Sequence, residues 1–194
     1  MKKIIPLTVL FSLIIFVHAC ESEKNPTIIM ETSLGTITAE LFPKKAPSTV
    51  KNFLFYIEQS RYDECHFYRV VHLNNQPENN IHIEVIQGGL GIDKHRLELK
   101  TITHENTDQT NILHKNGTIS MARLEPGTAS SEFFICINDQ PELDYGGKRN
   151  PDGQGFAAFG QVIKGMEIVK QIQMMDSKDQ ILMAKIPVHI KIQS

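Results

Sequence analysis

The chain has 194 residues, enough for one folded domain with short extras. With 41% hydrophobic and 22% charged residues it has the composition of a globular protein, which excludes a disordered chain or a fibrous repeat. A formal net charge of −2 excludes the clustered Lys and Arg excess that holding nucleic acid demands, and with no Trp and four Tyr, aromatic recognition rests on the ten Phe.

Residues 1–20 read as an address. Lys2 and Lys3 precede an apolar run from Ile4 to Val17, too short and too soon followed by polar residues to be a bilayer span. A positive start, an apolar middle and a small residue at the end describe a secretory signal. Its end, Val17-His18-Ala19-Cys20, resembles a bacterial lipobox, although His18 is not the usual small residue. The resemblance implies that the Cys20 thiol carries a diacylglyceryl group and that cleavage leaves Cys20 as the first mature residue. The other reading is an ordinary signal peptide with Cys20 merely near its cleavage site. Residues 21–26 (ESEKNP) form a polar tether, and residues 27–194 the folded domain. The expected location is the cell envelope, lipid-anchored on the periplasmic or outer face of a bacterial membrane.

From Thr27 the pattern is mainly short strands and turns. TIIMETS and GTITAELF alternate apolar and polar residues about Leu34-Gly35, which predicts a β-hairpin. Pro43 to Ser48 ends that strand and opens a helix, in which Val50, Phe53, Leu54 and Ile57 share one face. HFYRVV, IHIEVIQ, GTISMA, EFFICI and AAFGQVI read as further strands, Gly165 to Met174 as a second short helix, and Val188 to Ile192 as a closing strand. Asp93 to Lys100 reads as an exposed charged loop. Many short strands with two brief helices predict a closed β-barrel capped at its ends. Cys65 and Cys136 fall in apolar stretches and read as buried free thiols; neither has a His base beside it in a nucleophile motif.

Several strings then occur in one order: GTITAELFPKKAPSTVKNF, FYRVV, IQGG, GTISMA, SSEFFIC and FAAFGQVIKGMEIV. Together they resemble the cyclophilin family of peptidyl-prolyl cis–trans isomerases across nearly all of residues 27–194, particularly bacterial members with a longer QPELDYGGKRNPDGQGFAAFG segment. The resemblance implies a mainly β fold, a closed eight-stranded antiparallel barrel capped by two short α-helices. It implies isomerisation of X–Pro bonds in exported polypeptides, assisting their folding, with no cofactor and no metal. Proline-containing polypeptides are the expected clients, the membrane is reached only through lipid on Cys20, and the domain is expected to be monomeric.

An X–Pro bond turns over tens of seconds unaided, held by partial double-bond character. Speeding it needs an apolar seat for the ring and a donor aimed at the prolyl nitrogen. Arg69 matches the family's catalytic arginine, Gln87 the residue that orients it, and Phe134 the floor of the proline pocket, whereas Phe133 alternates to the opposite face. Leu143 and Phe156 match further pocket walls. Ala122 and Arg123 match positions whose backbone pairs with the substrate. Glu132 stands where the family has a site Gln, and ungapped matching puts Glu84 at a pocket Phe and Val85 at its Met neighbour. Pro141 and Glu142 replace a frequent Trp, and Phe156 a frequent His. His72 to Asn80 reads as an insertion. An ion pair from Glu132 to Arg69 would divert donors from substrate, so weaker or differently selective turnover is expected. The alternative is a proline-segment-binding chaperone or assembly module with little turnover. The scattered His show no metal-ligand spacing, and the glycines near 146–155 are turn residues, not a phosphate loop.

Overall fold

The computed structural model describes residues 24–91 and 96–193. The signal segment, Cys20, the start of the tether and residues 92–95 of the charged stretch lie outside the described residues.

Strands β1 (Thr27–Thr32) and β2 (Gly35–Leu41) form the expected hairpin, with Thr32 opposite Gly35. Alternation sends Ile28 and Met30 of β1, and Ile37, Ala39 and Leu41 of β2, inward. Gly35 has φ 141°, a backbone conformation that L side chains rarely adopt, so the turn needs glycine. The remaining strands are β3 (His66–Val71), β4 (Val85–Gly89), β5 (Thr118–Met121), β6 (Phe133–Cys136), β7 (Ala157–Lys164), β8 (Ser177–Lys178) and β9 (Ile181–Ile192). Antiparallel pairing runs β1-β2-β7-β5-β6-β4-β3-β9, and β9 returns to β1. Eight strands thus close the barrel, with the two-residue β8 attached to β9.

Helix α1 (Pro47–Glu58) begins with proline, whose missing N–H costs nothing in the first turn. Ala46 offers no capping side chain; instead Glu105, 57 residues away from Ser48, accepts from the amides of Ser48 (3.0 Å) and Thr49 (2.8 Å). A carboxylate there also complements the positive helix end. The inward face carries Val50, Phe53 and Tyr56, and Phe53 plugs one barrel end against Tyr62, Phe133 and Phe159, with ring centroids 5.0–5.4 Å apart. Leu54 and Ile57 pack partly buried beside it. Helix α3 (Met166–Gln173) buries Val169 and Ile172 as its pattern predicts; the one-turn α2 (Thr107–Thr110), capped by Asn106, lacks an apolar period that could announce it.

Three local expectations are corrected. IHIEVIQ pairs as a strand only from Val85, because the buried side chain of Gln76 takes both backbone groups of Ile83 in place of a ladder (Ile83 N to Oε1 3.2 Å, Nε2 to Ile83 O 2.9 Å). Within 96–100, Leu97 and Leu99 pack against the core, and the Leu99 amide donates to Tyr56 Oη at 2.7 Å, so this part is not a simple exposed loop. The closing strand starts at Ile181, not Val188, after a tight turn at Asp179 and Gln180. Cys65 and Cys136 are buried free thiols, and burial pushes both pKa values well up.

Candidate active site

Arg69, Gln87 and Phe134 lie in one row across three neighbouring strands: Arg69 faces Gln87 between β3 and β4, and Gln87 faces Phe134 between β4 and β6. Directly opposed residues share a face of the sheet. Ser120 of β5 continues the row beside Phe134, while Phe133 points into the barrel core. The row borders a groove of about 540 Å³ that also takes in Ala122, Arg123, Glu132, Leu143 and Phe156.

The groove's floor is a small apolar cluster, separate from the barrel core, of Val71, Ile83, Val85, Phe134, Cys136 and Leu143, with Ala122 and Phe156 against it. Phe134 is 4% exposed and Leu143 1%. Phe156 meets Phe134 edge to face at 5.3 Å. Beneath lies His114, its ring parallel to Phe134 at 5.9 Å, bonded through Nδ1 to Asp144 (2.7 Å) and through Nε2 to Ser120 Oγ (2.9 Å). This Ser–His–Asp sequence is not a nucleophile site, since Ser120 and His114 are sealed under the phenyl ring. Burial holds the His114 pKa down against the opposing pull of Asp144.

Arg69 is held from both sides by neutral acceptors. Nη1 donates to Gln87 Oε1 at 2.8 Å, and Nε and Nη2 donate to Gln180 Oε1 at 3.1 and 2.5 Å. Burial lowers its pKa from the usual guanidinium value, yet arginine stays charged. Gln87 Nε2 donates to Tyr68 Oη (2.6 Å), which donates to Glu132 Oε2 (2.7 Å). The ladder slips between Phe67 and Arg69, and this bulge lets the consecutive residues Tyr68 and Arg69 both reach Gln87.

The expected pairing of Glu132 with Arg69 is therefore corrected. Glu132 spends its lone pairs on Tyr68, on Ser131 Oγ (3.0 Å) and on the amides of Leu90 (2.9 Å) and Gly91 (3.2 Å). Burial raises its pKa despite those bonds, and its charge adds to the burial that raises Tyr68. Glu84 is likewise outside the pocket. Its carboxylate accepts from Asn138 Nδ2 at 2.8 Å, and Ile83 and Val85 line the wall instead.

The Arg123 side chain clamps the loop before β7. It makes a bidentate pair with Asp152 (2.8 and 2.9 Å), donates to Gly155 O, and lies over the Phe156 ring at 5.1 Å. Its backbone N–H and C=O enter no hydrogen bond among the described residues, which leaves a short edge open to an extended peptide. The Ala122 amide is taken by Glu132 O at 2.8 Å.

Residues 27–194 match the family model described as cyclophilin type peptidyl-prolyl cis-trans isomerase/CLD. The chain belongs to this family. It is 34% identical over 149 residues to peptidyl-prolyl cis-trans isomerase cyp18 of Streptomyces antibioticus, covering 76% of this chain and 82% of that one. It is 35% identical over 166 residues to a peptidyl-prolyl cis-trans isomerase of Acinetobacter baylyi (84% and 79% covered). To peptidyl-prolyl cis-trans isomerase A of Dickeya dadantii it is 31% identical over 180 residues (92% and 87%). The fold matches a crystal structure of a Cryptosporidium parvum cyclophilin type isomerase with a TM-score of 0.65 at 21% identity, covering 88% of this chain and 98% of that one.

In this cyclophilin the residues that sequence reasoning missed are those brought in by loops. Gln180 rides on the β8–β9 turn, Ile83 on the segment between the insertion and β4, and Arg149 on the loop before β7. Arg149 Nη1 donates to Gln76 Oε1 (3.1 Å) and Ile81 O (2.5 Å), tying that loop to the insertion. Only the insertion itself, visible as extra residues between Arg69 and Gln87, signalled that something new stood beside the site.

Proposed function

We propose that this cyclophilin isomerises X–Pro bonds in exported polypeptides, with Arg69 as the donor to the prolyl nitrogen. The observation that carries this is the placement of a guanidinium, clamped by Gln87 and Gln180, at the rim of an apolar seat made by Phe134, Leu143 and Phe156. The proline ring enters the seat, the preceding segment pairs with the open Arg123 backbone, and the amide nitrogen comes to the unspent N–H groups of Arg69. Donation to nitrogen favours its pyramidal form and weakens amide resonance as the bond twists. Because the donor is already oriented, little reorganisation accompanies the twist; each 1.4 kcal/mol or so of such stabilisation is worth about tenfold in rate. The step involves no covalent bond change.

An isomerisation assay on the chain from residue 21 onward, with a panel of X–Pro peptides, tests this. R69A should remove most of the turnover, and unchanged turnover would overturn the role of Arg69. Binding without turnover on every peptide would instead make the domain a proline-segment-binding chaperone.

The location is proposed from residues 1–20 alone: export, lipidation at Cys20 and attachment to the envelope; the domain itself is proposed to be monomeric. Each acyl CH₂ buried in a membrane contributes about 0.8 kcal/mol, so two or three chains hold firmly. Full-length C20S should leave the membrane fraction; retention there would count against lipidation.

A further inference from the structure

Two guanidinium groups share the groove beside the proline seat, Arg69 from β3 and Arg149 from the loop before β7. Both are half-buried. Burial lowers both pKa values, and the charge of Arg69 lowers that of Arg149 further. Among the described residues neither has an anionic partner: Arg69 donates to the amide oxygens of Gln87 and Gln180, Arg149 to Gln76 Oε1 and Ile81 O. Elsewhere the fold supplies counter-charges, Asp152 for Arg123 and Asp139 for Lys115. Two adjacent cations in a low-dielectric wall, held only by neutral acceptors, make a field that an anion would relieve.

The geometry of Arg149 adds direction. Both of its fixed bonds come from Nη1, so Nε and Nη2 have no protein acceptor among the described residues. Those two N–H groups form the side of the guanidinium fork that takes a carboxylate with two parallel bonds. In the binding mode proposed above, the peptide segment before proline follows the Arg123 edge, on whose side Leu124, Thr128, Ser130 and Glu98 line the same groove; a carboxylate there would meet Glu98. With the preceding segment on that edge, the binding mode proposed above sends the residue after proline to the opposite side of the seat, where Arg69 and Arg149 line the groove.

We infer that Arg149, with Arg69, forms a carboxylate subsite that selects client segments carrying an acidic residue directly after the proline. This rests on the isomerase reading of the groove. Arg149 is the specificity determinant, and the segment from Gln76 to Ile81 that holds it is its mount.

The test uses the full chain in detergent and amidated peptides Ala-Ala-Pro-Xaa with Xaa as Glu, Gln or Lys, together with the Gln peptide bearing a free terminal carboxylate. Turnover and affinity are both measured. The Glu peptide should exceed the Gln peptide in kcat/KM by about fivefold, the scale of a half-exposed ion pair, and Lys should fall below Gln. The Glu-to-Lys ratio should collapse in R149Q, which removes the charge, and reverse in R149E. Raising the salt should narrow it. A preference that survives in R149Q overturns the inference, as does a gain confined to the free carboxylate. Turnover without charge discrimination overturns this inference and leaves the isomerase reading standing. No turnover on any peptide overturns the isomerase reading, and the affinities of the same peptides then decide the subsite.

Discussion

Replacing Gln180 measures how much of the order of Arg69 comes from outside the barrel wall. Asp179 and Gln180 form the whole turn between β8 and β9, with φ of 50° and 70°. A left-handed backbone costs a residue other than glycine roughly 1–2 kcal/mol, so the conformation must be repaid locally. Four contacts do this. Gln180 Oε1 accepts from Arg69 Nε and Nη2, Nε2 donates to Asn75 O at 3.0 Å, and the carbonyl accepts from Val70 N at 2.8 Å, beside the β3 bulge. Q180N keeps a residue tolerant of the left-handed region but is one methylene too short to reach the guanidinium.

Hydrogen bonds to a charged group contribute about 1.5–3 kcal/mol. Water reaches the half-buried Arg69 and recovers part of this, leaving a loss on the order of 1–2 kcal/mol in donor orientation. At about 1.4 kcal/mol per tenfold, kcat/KM should fall roughly 5- to 30-fold, mostly in kcat because the apolar seat is untouched. A coupled isomerisation assay with one X–Pro peptide reads this directly. Q180G, which relaxes the turn, should lose the same activity while differing in stability, separating backbone effects from loss of the amide. In an R69A background Q180N should add nothing further. A full loss persisting in that background, or an unchanged kcat, would refute the reasoning.

Two further outcomes follow from buried groups. E132A strips the acceptor from the Leu90 and Gly91 amides and from Tyr68, and should lower unfolding stability by about 2–4 kcal/mol, E132Q by less, in urea titration. The native pKa of His114 lies below the ordinary value of 6.5, so as pH falls below that value the unfolded chain binds a proton that the native state does not. Stability should then drop by up to about 1.4 kcal/mol per pH unit until the native imidazole titrates, and H114Q should abolish that part of the slope; an identical slope in the variant would refute the assignment.

What was legible in the sequence is what local pattern and motif specify. The hairpin about Leu34-Gly35 and the α1 face of Val50 and Phe53 follow from period alone, and strand alternation separates Phe134 from Phe133. What was illegible depends on side chains that intercept the backbone from a distance. IHIEVIQ alternates like a strand throughout, yet Gln76 captures Ile83 before the ladder can. Asp-Gln carries none of the glycine that marks a two-residue turn, so the β8–β9 hairpin and Gln180 went unseen. Opposite charge made Glu132 look like a partner for Arg69; the β3 bulge, which no residue type announces, brings Tyr68 and Gln87 between them.

These long-range ties divide the site into two parts with different physical origins. The row Arg69–Gln87–Phe134 is set by strand register, and a register slip would invert the faces of whole strands, so the closed barrel holds it firmly. Ile83 and Arg149 are set by loops joined to each other through Gln76, a single buried amide that bonds His72 O, both backbone groups of Ile83 and the Arg149 guanidinium. Changing Gln76 would therefore move a pocket wall and a cation together while leaving the register-set row, and the Asn75 anchor of Gln180, in place. On the reading proposed above, a change at Gln76 shifts selectivity without loss of the chemistry, because Ile83 and Arg149 are fastened to each other through that one amide.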